Sequence, residues 1–484
     1  MEQTLSFPHP LPNQEAGALI KEFTDTVLDL YAGLKEQPVC RTADQNVLTR
    51  LKQTGIPRTG RPLEEVYRQM LADVYPYQSL VQHPRNFACI PSPVSLVSWM
   101  GDVMTNAFDP HAGCWTNASA ASFLEQELIR WMCGLAGYPD TSGGLFVSGG
   151  SMANLTALTA ARDSRLTWEQ RPLAVAYVSD QTHSSVAKGL KILGFRPDQV
   201  RKVPTDSEFS MDVQALSAAI QEDKSQGRIP FAVIATAGTT NTGSIDPLPE
   251  IARICRLHQL WMHVDGAFGA SILLSEAGRK RLSGIEQSDS ISWDAHKWLM
   301  QTYGCSMVLV RDKRLLTDSF CAHPEYLADA GASEAAPNFW DFGPELTRPA
   351  RHLKLWMTLQ TMGTDAMGQM IDCGCALAEQ AEDLVRRLPD WEIVSSAKQG
   401  IVNFRYAPAG YRPQELDAIN QELARALSDT GYAQVFTTEL RGRKVLRMCT
   451  LNPHTSSEDI RAVIDSLQRL LPDAVRSWKD RKVS

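Results

Sequence analysis

The sequence predicts an α/β fold, a mainly parallel seven-stranded sheet with helices on both faces, followed by a smaller C-terminal α+β domain. Three observations carry this. Between about residue 144 and residue 310, short apolar runs alternate with amphipathic stretches at helical spacing. Those runs lack a polar face, as strands buried on both sides do. After Arg348 the alternation gives way to one long helical stretch and then to clustered strands.

The 484-residue chain is too long for one small domain and long enough for a large core. Its 43% hydrophobic and 21% charged residues are ordinary for a globular protein. A net charge of −7 offers no attraction to nucleic acid or to an anionic membrane, so neither is an expected partner. The opening Met1-Glu-Gln-Thr-Leu-Ser-Phe-Pro-His-Pro10 has neither a basic start nor an apolar export core, and no apolar run approaches membrane-spanning length. The ten cysteines are scattered without a CxxC pair, which fits reduced thiols and not disulfides or a metal site. A cytoplasmic location is the expectation.

Taken in order, the first hundred residues read as helices that need a large surface to lie on. Phe23, Val27, Leu30 and Leu34 recur at helical spacing, as do Leu63, Val66, Tyr67, Met70, Leu71 and Val74 after Pro62. This segment, residues 1–110, lies either on the main domain or on a second subunit. His83-Pro-Arg-Asn-Phe-Ala-Cys-Ile-Pro-Ser-Pro93 reads as an ordered loop, and helices are expected over 96–107 and 123–135. The large domain, 111–347, has expected strands at 145–147, 174–178, 200–203, 231–235, 260–264, the alternating run from Ser288, and 305–310. Expected helices at 151–162, 184–193, 211–226 and from Pro247 link them. The small domain, 348–484, combines a helix over 351–388 with strands at 391–395, 402–406, 434–438 and 445–451 and helices at 413–427 and 457–470.

The candidate site residues fall just beyond strand ends, where open α/β sheets bind ligands. Lys297 follows His296 between two core strands; it is either paired with a nearby carboxylate or used as an amine nucleophile toward a carbonyl. Gly149-Gly150-Ser151 opens a helix; it is either a plain N-cap turn or a place where free backbone amides face an anion. Thr239-Thr240 place hydroxyls at another strand end, either as turn residues or as ligands. Asp265 precedes Gly266-Ala267; it either caps the next helix or holds a cationic ring nitrogen lying flat above Ala267. His183, in Asp180-Gln-Thr-His-Ser-Ser185, offers a flat ring for stacking. An anion site, a carboxylate, a stacking imidazole and a lysine together match the phosphate, ring nitrogen, ring face and aldehyde of pyridoxal 5′-phosphate.

The motifs Gly149-Gly-Ser-Met-Ala-Asn-Leu155, Asp180-Gln-Thr-His-Ser-Ser185, Thr236-Ala-Gly-Thr-Thr240, His263-Val-Asp-Gly-Ala267 and Asp294-Ala-His-Lys-Trp298 resemble those of the group II pyridoxal-dependent amino-acid decarboxylases. That family includes aromatic-amino-acid and glutamate decarboxylases, and the resemblance covers roughly residues 60–470. It implies the fold type I of the aspartate aminotransferase superfamily and a homodimer with shared active sites. It also implies an imine between Lys297 and the cofactor's aldehyde. Asp265 would pair with the ring nitrogen and His183 would stack on the ring. Gly150, Ser151 and Thr240 would hold the phosphate, with Ala267, Asp294 and His296 in the same cofactor site. Asp294 stands where many members have asparagine, which leaves its contact with phosphate open.

The resemblance also implies a mobile loop whose tyrosine helps return a proton to Cα after CO2 leaves; His323-Pro-Glu-Tyr-Leu327 is similar to it and supplies Tyr326. Members with phenylalanine there tend toward aldehydes, so Tyr326 favours amine formation. Lys297, His183, Asp265 and Tyr326 are the candidate catalytic residues. Cys89, Ile90, Pro91 and Gly113 match substrate-pocket positions that carry rings in aromatic-specific relatives, and Arg351 is similar to an arginine near the active site. With fewer rings, either a bulky aromatic substrate using the space at Gly113 or a smaller aliphatic one fits. An aromatic or other neutral side chain is favoured, with Arg85 the one candidate for binding a second carboxylate. Alternative activities are those of an aminotransferase, an aldehyde synthase or a carbon–carbon lyase; a catalytically silent scaffold subunit is the alternative outside enzymes.

Overall fold

The computed structural model describes residues 13–90, 93–322, 333 and 335–483. Five helices come first: α1 (Asn13–Ala32), α2 (Gln45–Thr54), α3 (Leu63–Asp73), α4 (Leu96–Phe108) and α5 (Ser119–Leu135). Then β1 (Gly143–Val147), β2 (Ala174–Ser179), β3 (Val200–Val203), β4 (Ile229–Thr236), β5 (Trp261–Asp265), β6 (Ser290–Asp294) and β7 (Ser306–Val310) form one seven-stranded sheet, ordered β1-β7-β6-β5-β4-β2-β3. Neighbours from β6 to β3 pair in parallel, whereas β7 runs antiparallel to both β6 and β1. The reason is chain length: a parallel crossover takes about a dozen residues or more, usually including a helix, and the link 295–305 carries no helix, so the chain turns straight back.

Helices α6 (Gly150–Arg165), α7 (Ser184–Ile192), α8 (Val213–Ser225), α9 (Leu248–His258), α10 (Glu276–Arg281) and α11 (Arg314–Phe320) connect and cover the strands. The period of two along each strand divides the apolar side chains between two cores. In β2, Val175 and Tyr177 enter one core while Ala174, Ala176 and Val178 enter the other. Covering both faces in this way explains why the strands read as unbroken apolar runs.

The expected helix over 351–388 is two helices, α12 (Leu353–Met362) and α13 (Thr364–Arg386). Gly363 between them has φ +76°, a left-handed conformation that caps the first and redirects the chain. A second sheet follows, antiparallel throughout and ordered β10-β11-β9-β8, from β8 (Trp391–Lys398), β9 (Ile401–Tyr406), β10 (Phe436–Leu440) and β11 (Arg443–Cys449). With α13, α14 (Pro413–Asp429) and α15 (Ser457–Val483) it closes a core around Phe404, Leu423, Leu427, Met448 and Ile460. The resulting architecture is that of fold type I, with its smaller C-terminal part.

Candidate active site

The carboxyl ends of β1, β2, β4, β5 and β6 meet at a cavity of about 320 Å³. Of the sequence-predicted residues, Gly150, Ser151, His183, Thr240, Asp265, Ala267, Asp294, His296 and Lys297 all line it.

One wall is the start of α6 at Gly150 and Ser151, a helix end of the kind that suits an anion. A Cβ at Gly150 would come within 2.7 Å of Asp294 Oδ2, so only glycine lets α6 begin this close to the end of β6. Thr240 closes that side, and its carbonyl accepts a hydrogen bond of 3.1 Å from Arg447 Nη1. Arg447 Nη2 donates to the Ala88 carbonyl at 2.9 Å, so one guanidinium from β11 ties this turn to the segment before Cys89.

Asp265 ends β5 and is buried. Its Oδ2 accepts from Asn154 Nδ2 at 3.0 Å, and its Oδ1 accepts from the Ala267 amide and from Ser292 Oγ, each at 3.2 Å. His183 occupies the N-cap of α7, with Nδ1 2.8 Å from Ser185 Oγ. Lys297 Nζ lies 3.1 Å from Asp294 Oδ2, and His296 Nε2 lies 3.7 Å from the same oxygen. Burial pushes the His296 imidazole below its ordinary pKa. Its Nδ1 lies 3.2 Å from the Cys305 carbonyl, which can only accept, so that nitrogen carries a hydrogen.

These groups fit a flat heteroaromatic aldehyde bearing a phosphate. The helix start faces the anion, Asp265 supplies a carboxylate, and Lys297 supplies the amine. His183 and Ala267 provide a flat and a small surface. One buried oxygen of the cavity wall, the Thr236 hydroxyl, has no hydrogen-bond partner among the described residues, which is the condition of a donor awaiting a polar ligand.

Other predicted residues lie elsewhere. Ile90 is buried in the apolar core, and Cys89 does not line the cavity. The space over Gly113 is filled, since a Cβ there would meet the Leu346 carbonyl at 2.5 Å and His111 Cε1 at 2.7 Å. The pocket space expected at Gly113 is therefore absent in a single chain. Arg351 is bound to Glu345 at 2.8 and 3.0 Å and does not line the cavity. Arg85 bonds the carbonyls of Tyr432 and Lys35 and pairs with Asp459, so it is no receptor for a second carboxylate. Pro91 and Tyr326 lie outside the described residues.

Asn154, Ser185, Ser292, His263 and Arg447 escaped the sequence reading as site residues. Asn154 could have been found as the one amide between Ala153 and Leu155 on an apolar helix, and His263 as the residue two before Asp265, on the same face of its strand. Arg447 gave no signal, because both its acceptors are backbone carbonyls far away in sequence.

Residues 46–407 match the model of the pyridoxal-dependent decarboxylase conserved domain. The chain is 38% identical to the aromatic-L-amino-acid decarboxylase of Bacillus atrophaeus, over 97% of this chain and 98% of that one. It superposes on Oryza sativa TDC, solved with PLP and tryptamine, with a TM-score of 0.90 and 28% identity, covering 97% and 100% of the two chains. The tryptophan decarboxylase of Catharanthus roseus, solved with L-tryptophan, gives a TM-score of 0.89 at 27% identity, covering 96% and 100%.

Proposed function

Since the chain belongs to the pyridoxal-dependent decarboxylase family, and is thus a pyridoxal-phosphate-dependent carboxy-lyase acting on amino acids, we propose that it converts an aromatic or other neutral L-amino acid to its amine and CO2, with Lys297 as the amine that holds the cofactor. The observation that carries this is the placement of Lys297, Asp265 and His183 in one cavity with the open start of α6.

When bound, pyridoxal phosphate supplies an electron sink for the bond pair left on Cα as CO2 departs. The chain's residues do the rest. The start of α6, with Ser151 and Thr240, would hold its phosphate. Asp265 would keep a proton on its ring nitrogen, and His183 and Ala267 would bound the ring. Lys297 would supply the amine that holds its aldehyde. The pocket would have to turn the substrate carboxylate away from water. Tyr326 would supply the proton that Cα needs to complete the amine.

A neutral substrate side chain is supported by the cavity wall, where among the described residues no arginine is found. The aromatic preference draws on the name of the Bacillus relative and on the L-tryptophan held by the Catharanthus enzyme. A homodimer with shared sites is part of the same reading, with residues 1–110 lying on the partner. It is supported by the apolar side chains that α1, α3 and α4 leave exposed, among them Ile20, Met70, Met100, Met104 and Phe108. The test is a panel of carboxyl-labelled L-amino acids incubated with the holoenzyme without any keto acid. Release of labelled CO2 with formation of the matching amine is expected for an aromatic member. Turnover that requires a keto acid would assign an aminotransferase instead.

A further inference from the structure

Behind Asp265 stands a row of buried polar groups that ends on its carboxylate. Trp261 Nε1 lies 2.8 Å from Ser290 Oγ, which lies 2.8 Å from His263 Nδ1. His263 Nε2 lies 2.9 Å from Asn154 Oδ1, and Asn154 Nδ2 lies 3.0 Å both from Asp265 Oδ2 and from Ser185 Oγ. Strand register builds the row, because His263 pairs with Ser290 and Asp265 with Ser292 across β5 and β6. Asn154 reaches them from α6.

The carboxylate end of the row sets its directions. Asp265 Oδ2 accepts from the Asn154 NH2, so the Asn154 oxygen faces His263 Nε2 and that nitrogen must donate; at the far end the Trp261 indole N–H donates to Ser290 Oγ. Burial holds the His263 imidazole well below its ordinary pKa, so the ring is neutral and its single hydrogen lies on Nε2, facing the Asn154 carbonyl. The amide nitrogen is then left for Asp265 and Ser185. Turned over, the amide would set its oxygen against a carboxylate and its NH2 against an N–H. The Ser185 backbone N–H donates to His183 Nδ1 at 3.3 Å, so that nitrogen carries no hydrogen and a single ring hydrogen lies on Nε2; Ser185 Oγ, 2.8 Å from the same nitrogen, links it to Asn154.

A carboxylate offers about four acceptor sites. In Asp265 the donors Asn154, Ala267 and Ser292 fill all but one of them. We propose that Asn154 is the positioning residue of this cavity: one amide, oriented by His263, leaves Asp265 a single open acceptor site for a ring N–H. The inference rests on the role proposed above for Asp265.

The test compares Asn154→Leu, His263→Leu, His263→Gln and Asp265→Asn, each reconstituted with pyridoxal phosphate. The pH titration of the bound cofactor's visible absorbance and the cofactor Kd are read, with thermal unfolding of the cofactor-free chain as the control for structure. The other titratable groups on the cavity wall are His183, Asp294, His296, Lys297 and Tyr303, and all are unchanged in these variants. Asn154→Leu and His263→Leu are expected to lower the spectral midpoint by about one pH unit and to weaken cofactor binding roughly ten- to a hundredfold. His263→Gln keeps an N–H where Nε2 stood and is expected to stay close to the parent. If Asp265→Asn shifts the titration and both leucine variants titrate like the parent, the role of Asn154 is overturned and that of Asp265 stands. If Asp265→Asn also titrates like the parent, the reading of Asp265 itself falls. Should Asn154→Leu fail to fold, the two His263 variants decide: equal behaviour of leucine and glutamine overturns the proposal.

Discussion

Lys297 Nζ and Asp294 Oδ2 lie 3.1 Å apart within the turn that closes β6. The amine proposed to receive the cofactor is thus held by a carboxylate that also abuts the start of α6, where the phosphate is proposed to sit. A carboxylate repels a phosphate. Asp294→Asn is therefore expected to speed cofactor association about three- to tenfold near neutral pH, an effect of roughly 1 kcal/mol on a partly screened pair. Stopped-flow absorbance measures it, and a slower rate would contradict it.

Gly150 is the closest approach of α6 to that carboxylate. In Gly150→Ala the new methyl would force Asp294 or the helix start to move, with an overpacking cost of about 1 to 3 kcal/mol. Weaker cofactor binding with little change in the KM of the loaded enzyme is expected, read by dialysis and reconstitution.

Away from the cavity, Glu125 is buried against Arg348, at 2.6 Å, and His352, at 3.3 Å. Burial pushes the Glu125 carboxyl up, but Arg348 and His352 together outweigh it and hold its pKa at about 2. A carboxyl depressed in the folded state contributes stability above its unfolded pKa and loses it as pH falls toward the folded value. The window here runs from about 4.5 down to about 2, worth roughly 3 kcal/mol. At neutral pH, Glu125→Gln leaves the buried Arg348 guanidinium uncompensated and is expected to cost about 3 to 5 kcal/mol. Denaturant unfolding between pH 7 and pH 3 checks both: the parent loses stability across that window and the variant changes far less.

On the proposed dimer face, Phe108 is 82% exposed in the single chain. Phe108→Asp is expected to raise the dimer dissociation constant at least about tenfold, the scale of losing one buried aromatic anchor. Sedimentation velocity measures this, and an unchanged constant would place the interface elsewhere.

Much of the cavity wall was legible in the sequence because it follows local rules. A helix start after glycines, a carboxylate closing an apolar run, and a lysine between two strands each leave a short motif. The break at Gly363 was not anticipated, because apolar spacing continues on either side of it and only the backbone angle ends α12. The surroundings of Gly113 and Arg351, the Leu346 carbonyl and the Glu345 carboxylate, were hidden for another reason: they are set by how the chain after residue 340 folds back. The row behind Asp265 was hidden for the same reason. Asn154 and His263 sit on different elements, and only the β5–β6 register and the position of α6 bring them within 2.9 Å.

The most direct test of the central claim is to reduce the yellow holoenzyme with borohydride and map the digested chain by mass spectrometry. A pyridoxyl-phosphate mass on the peptide containing Lys297, and on no other, is the predicted result. Label on a different lysine, or a chain that takes up no label while it still releases CO2, would contradict the account.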